Sequence, residues 1–179
     1  IRRKFFDKLQ SLYGLMLEEM ADRGLHEDTL ALIRLMLGFK IPETEFVREP
    51  LKRALRALHD APTGGRAAAL LEVSGLNDPA VRMDKALAKF ERLLNVAPGR
   101  VFRHTRWGLG KVTALDTADA AGKVTLDFPG KAGQSFTIEG ALEFLQPVAP
   151  EHFVAAAVRD REAARRLFEE SPAEAVKFA

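Results

Sequence analysis

Apolar residues recur at spacings of three and four near the start of the chain. Phe5, Leu9, Leu12, Met16 and Met20 form one stripe, which Phe6, Tyr13 and Leu17 widen. Arg2, Lys4, Asp7, Lys8, Glu18 and Glu19 fall off that stripe, so the pattern predicts an amphipathic helix with this face packed inward. Gly24 is placed to end it, and Glu27 and Asp28 favour a new helix start through the dipole. Leu30 to Leu37 is apolar nearly all round, broken only by Arg34, which predicts a central helix stopped by Gly38.

Ile41-Pro42-Glu43 reads as a connector. Pro50 starts or kinks a helix whose stripe is Leu51, Leu55 and Leu58. Pro62-Thr63-Gly64-Gly65 breaks the chain before a short helix at about Ala67 to Val73. Asn77-Asp78-Pro79 combines a capping side chain with a first-turn proline and predicts the start of another helix, with Met83, Leu87, Phe90 and Leu94 buried. No repeat period is present, and a compact bundle and a short superhelix both fit this helical region.

The pattern changes at Ala97-Pro98-Gly99. Val101 to His104, Lys111 to Asp116, Lys123 to Phe128 and Ser135 to Ile138 read as strands, with Val124, Leu126 and Phe128 on one face. Turns fall at Asp119 to Gly122 and at Pro129 to Gly133. A helical turn over Glu139 to Phe144 precedes a closing strand at Leu145 to Val148. Short strands in so few residues predict a small twisted barrel, because a flat sheet of this size buries neither its edges nor a core. After Pro150 the pattern is helical again: Glu151 to Val158, Glu162 to Phe168, and a start at Ser171-Pro172. The fold class expected is therefore α+β: a helical domain (1–96), a β-barrel (97–149) and a helical segment (150–179).

Composition narrows the function more by exclusion than by assignment. The chain has 179 residues with 27 Lys and Arg against 25 Asp and Glu, a formal net charge of +2. That balance argues against wholesale nucleic-acid coating. With no cysteine, disulfides, thiolate metal sites and a cysteine nucleophile are excluded, which fits a cytoplasmic setting. No apolar run approaches the roughly 18 residues of a membrane span. A chain that opens on Ile1 and closes in a helical pattern reads as a piece of a longer protein.

Candidate chemistry concentrates at one strand connection, His104-Thr105-Arg106-Trp107-Gly108-Leu109-Gly110-Lys111. The two glycines suit positive φ. Trp107, the only Trp, serves equally well as a plug for the end of a barrel or as an aromatic grip on a partner. Arg100, Arg103, Arg106 and Lys111 fall in a stretch without acids. They read as a solvated face, as contacts to phosphates or as contacts to an acidic protein surface. His26, His59, His104 and His152 are scattered without ligand spacing, so no metal site is expected. Gly108-Leu109-Gly110-Lys111 lacks the spacing of a phosphate loop, and no nucleophile elbow occurs. Neither catalysis nor a cofactor is expected.

These residues carry a resemblance. Gly99-Arg100-Val101, His104, Trp107-Gly108-Leu109-Gly110, Lys111-Val112 and Leu126-Asp127-Phe128 resemble the Tudor-like modules of bacterial transcription and repair proteins. Such modules occur in UvrD-type helicases, CarD-type regulators and transcription-repair coupling factors, where they commonly dock on RNA polymerase. Residues 97–176 are more closely similar to the N-terminal extensions of some long Gre-type elongation factors. There, segments like His152-Phe153-Val154, Asp160-Arg161-Glu162 and Ser171-Pro172 follow the barrel; the acidic catalytic tip of Gre factors is not in this chain. The resemblance implies a non-catalytic module of a bacterial transcription elongation factor that binds RNA polymerase through Arg100, Arg103, His104, Arg106, Trp107 and Lys111. Direct nucleic-acid binding and a helical scaffold for another protein are the alternatives. No membrane and no small-molecule substrate are expected as partners.

Overall fold

The computed structural model describes residues 2–38, 45–117, 122–149 and 152–170. They are α+β: eight helices and one five-stranded antiparallel sheet among the described residues. The chain divides into two compact units, Ile1–Phe90 and Glu91–Ala179. The connector at 41–43, the turn residues 119–121 and the helix start at 171–172 lie outside the described residues.

The first unit holds α1 (Arg2–Asp22), α2 (His26–Gly38), α3 (Glu45–His59), α4 (Ala67–Ser74) and the start of α5 (Met83–Leu94). Helix α1 ends as its glycine requires: Gly24 has φ of +73°, and the Gly24 and Leu25 amides donate to the Ala21 and Met20 carbonyls. Its buried face follows the expected one at Leu17 but departs from it at Leu12 and Met16. Gly14, Leu17 and Ala21 are buried, while Leu12 and Leu15 are 55% and 67% exposed and Met16 is exposed too. The reason lies at Gly14, where a Cβ would come within 2.9 Å of the Phe46 ring. Helices α1 and α3 meet there because Gly14 has no side chain, which rotates the Leu12 and Met16 side outward.

Helix α2 is not central either. Thr29, Leu30, Ile33 and Met36 are buried, but Leu35 is 56% exposed. One face therefore packs, mainly against α3. Pro50 sits inside α3 and is itself buried beside Leu51, Ala54 and Leu55. Asn77-Asp78-Pro79 does not open a helix. Asp78 Oδ1 accepts the Ala80 amide in a local turn, and α5 begins only at Met83. What closes this turn is Arg48, 5% exposed, whose guanidinium donates to the carbonyls of Leu76, Asp78 and Val81. The planar fork of arginine suits three carbonyls at 3.0–3.1 Å.

In the second unit, β1 (Val101–His104), β2 (Gly108–Asp116), β3 (Lys123–Phe128), β4 (Lys131–Thr137) and β5 (Leu145–Pro147) lie in the order β4-β3-β2-β1-β5. Helix α6 (Ile138–Phe144) joins β4 to β5 and is capped by Thr137, whose hydroxyl accepts the Gly140 amide. Helix α7 (Phe153–Arg159) packs on β1 and β2, and α8 (Arg161–Glu170) packs on α7. Val112, Val124, Leu126, Phe128 and Ile138 form the core. The sheet is open, with β4 and β5 at its edges. Register shifts at Val112/Ala114 and Leu126/Phe128 bend it. The β3–β4 turn is tighter than expected: only Pro129-Gly130 separates the strands, and β4 starts at Lys131. None of the helices among the described residues is long and apolar enough to cross a membrane.

Candidate interaction site

The β1–β2 connection is built around His104. Its Nδ1 accepts hydrogen bonds from the Arg106 and Trp107 amides at 3.0 and 3.2 Å. Both bonds require an unprotonated Nδ1. They fold the turn back so that the Trp107 ring stacks on the imidazole, with centroids 4.6 Å apart and planes 21° from parallel. Gly108 then carries a φ of +75°, a conformation that L side chains rarely adopt, and the chain enters β2.

The two glycines around Leu109 have different jobs. Positive φ was expected at both, but Gly110 lies in regular strand and has none. It is required for space. A Cβ there would come within 2.5 Å of Phe128. With that room, Phe128 reaches Trp107 edge-on at 5.4 Å and His104 at 5.9 Å. Phe136 completes the cluster, 5.7 Å from Trp107 and 6.4 Å from Phe128. These are contact spacings for aromatic rings, so the four rings form a closed group with no slot between them. The Lys131 ammonium sits 4.9 Å from the Trp107 centroid, a cation–π contact.

The expected site residues divide between places. Strand alternation puts His104 with Phe102 on one face of β1, and Arg103 with Val101 on the other. Arg103 opposes Leu109 and Lys111 opposes Val101, so Arg103 and Lys111 are diagonal neighbours, roughly 7–8 Å apart at Cα. They share the sheet face opposite the aromatic cluster. Arg106 is exposed in the turn itself. Arg100 lies beyond the other end of β1 and lines a separate cavity. Among the described residues, Arg100, Arg103, Arg106 and Lys111 have no ion-pair partner. Trp107 is half-buried, so it serves at once as the lid of the aromatic cluster and as an accessible edge.

Lys131, Phe128 and Phe136 were not anticipated as partners of Trp107. The sequence signal is the two-residue turn Pro129-Gly130, which sets Lys131 directly opposite Phe128. Arg48 was likewise missed. It stands three residues before Leu51 and seven before Leu55, on the apolar stripe, a position where a charged side chain requires buried partners.

Comparison of the chain with protein-family models, with curated proteins and with solved structures finds no match.

Proposed function

We propose that residues 91–179 form a non-catalytic docking module of a bacterial, cytoplasmic transcription elongation factor of the Gre type, and that it binds RNA polymerase. In this reading the open sheet, a β1–β4 meander with β5 returning beside β1 and α6 between β4 and β5, is a Tudor-like module. The observation that carries the proposal is the β1–β2 corner. An aromatic side chain is packed among its neighbours yet keeps an exposed edge, with the exposed Arg106 beside it in the turn and Arg103 on the opposite face of β1. Aromatic side chains and Arg are the residues that protein interfaces favour as energetic anchors. Arg103, Arg106 and Lys111 would face acidic groups on the polymerase.

The test is capture of purified bacterial RNA polymerase by the full chain, with Arg103→Ala/Arg106→Ala as the surface variant and Trp107→Phe as the anchor variant. Capture by wild type and loss in the surface variant support docking. Equal capture by all three removes the corner from the interface. A labelled duplex run in parallel separates direct nucleic-acid binding, which would weaken steeply with salt.

A second reading, a helical scaffold for a partner helix, is favoured by one observation. Leu12, Leu15 and Met16 form an exposed apolar stripe on α1. Leu15→Glu abolishing capture while Arg103→Ala/Arg106→Ala retains it would favour the scaffold.

A further inference from the structure

We infer that the cavity beside β1 and β5 is a second binding site, taking an apolar side chain next to a carboxylate on a segment of a protein partner. The cavity has a volume of about 280 Å³ and is lined by Asn95, Arg100, Val101, Phe102, Pro147 and Val148, with Ala149 at its edge. Val101 and Phe102 border it but are almost fully buried, on opposite faces of β1, so Pro147 and Val148 supply most of its exposed apolar wall. The backbone polar groups of that wall are partly spent already, since the Val148 amide donates to the Val101 carbonyl. Space of this size holds one or two side chains rather than a large cofactor.

Arg100 gives the cavity its sign. It is half-buried, and among the described residues its guanidinium has neither an ion pair nor a hydrogen bond. No acid is among the described lining residues. An arginine with neither ion pair nor side-chain hydrogen bond next to an apolar wall favours an anion that pairs with it through two parallel N–H bonds, and a carboxylate fits that fork. Asn95 adds polarity: its Nδ2 donates to the Glu91 carbonyl, which leaves Oδ1 to accept an amide N–H. Apolar wall, cation and amide acceptor together describe a peptide carrying an acidic residue beside an apolar one.

This site is independent of the Trp107 corner. Arg100 precedes β1 and Trp107 follows it, so the four-residue strand separates them by roughly 13 Å. The test is an amide-resolved NMR titration of the full chain with N-acetyl-aspartyl-phenylalanine amide, and with the uncharged asparaginyl analogue. The expected result is saturable shifts at the Val101, Phe102 and Val148 amides, about tenfold weaker for the analogue. Arg100→Gln removes the preference for the charged peptide. Arg100→Lys, which keeps the charge and loses the fork, retains part of it. Trp107→Phe leaves the titration unchanged. An equal response to both peptides, a preference that survives in Arg100→Gln, shifts centred on Arg103 and Arg106, or no saturable shift would each overturn the proposal. The spectrum of each variant without peptide reports whether it has folded.

Discussion

Gly110 and Phe128 face each other across β2 and β3 so closely that the smallest side chain at position 110 would come within 2.5 Å of the Phe128 ring. That ring has little freedom to yield, because Trp107, His104 and Phe136 surround it. Gly110→Ala is expected to destabilise the second unit by roughly 1–3 kcal/mol, the usual cost of overpacking. Chemical denaturation followed by the fluorescence of Trp107, the only Trp, reads both the stability and the altered ring environment. An unchanged midpoint would mean that Phe128 moves aside freely.

Trp107 is held by ring contacts yet only half-buried. Trp107→Ala is therefore expected to cost about half of the roughly 3–5 kcal/mol typical of a fully buried aromatic. Trp107→Phe should keep most of the stacking on His104. Thermal unfolding of the two variants checks this ranking. A cost near zero for the alanine variant would show that the aromatic cluster contributes nothing to folding.

Arg48 is expected to be among the most sensitive positions of the first unit. Arg48→Met fills a similar volume but leaves the carbonyls of Leu76, Asp78 and Val81 without their donor. A loss of roughly 3 kcal/mol or more follows from hydrogen bonds to a charged donor being removed in a buried place. Urea denaturation of Arg48→Met and Arg48→Lys tests it. Lysine, with one compact ammonium, should rescue only part of the loss.

Helix α1 offers a paired comparison. Leu17 is fully buried and Leu15 largely exposed. Leu17→Ala should cost roughly 2–5 kcal/mol, and Leu15→Ala should stay within about 0.5 kcal/mol. Equal costs would place the helix in a different rotation about its axis.

Asp84 in the first turn of α5 has its carboxyl held below the ordinary aspartate value, first by the Arg82 side-chain hydrogen bond and further by the Lys85 amide. A depressed native pKa means that the ionised form stabilises the fold. The contribution is present above the ordinary aspartate pKa and is lost as pH falls through the native one. Asp84→Asn should therefore lower the melting temperature slightly at neutral pH, and the difference should vanish in strong acid. A difference that persists there would assign the effect to something other than this charge.

The sequence by itself determined the kinds of element and their order. Period three to four gave α1, α3 and α5, and period two gave β3, because burying one face of a helix or strand leaves a direct imprint on residue spacing. It also placed Trp107 in a glycine-bounded turn after β1. Rotation and neighbours were decided only by the tertiary structure. The inward face of α1 depends on Gly14 meeting Phe46, and both Leu12 and Leu17 satisfy the same spacing. The partners of Trp107 come from β3 and β4, brought in by strand pairing. Arg103 and His104 are adjacent in sequence yet stand on opposite faces of the sheet, so a run of neighbouring bases does not make one surface. Local patterns record burial, but which faces meet depends on contacts between residues far apart in the chain.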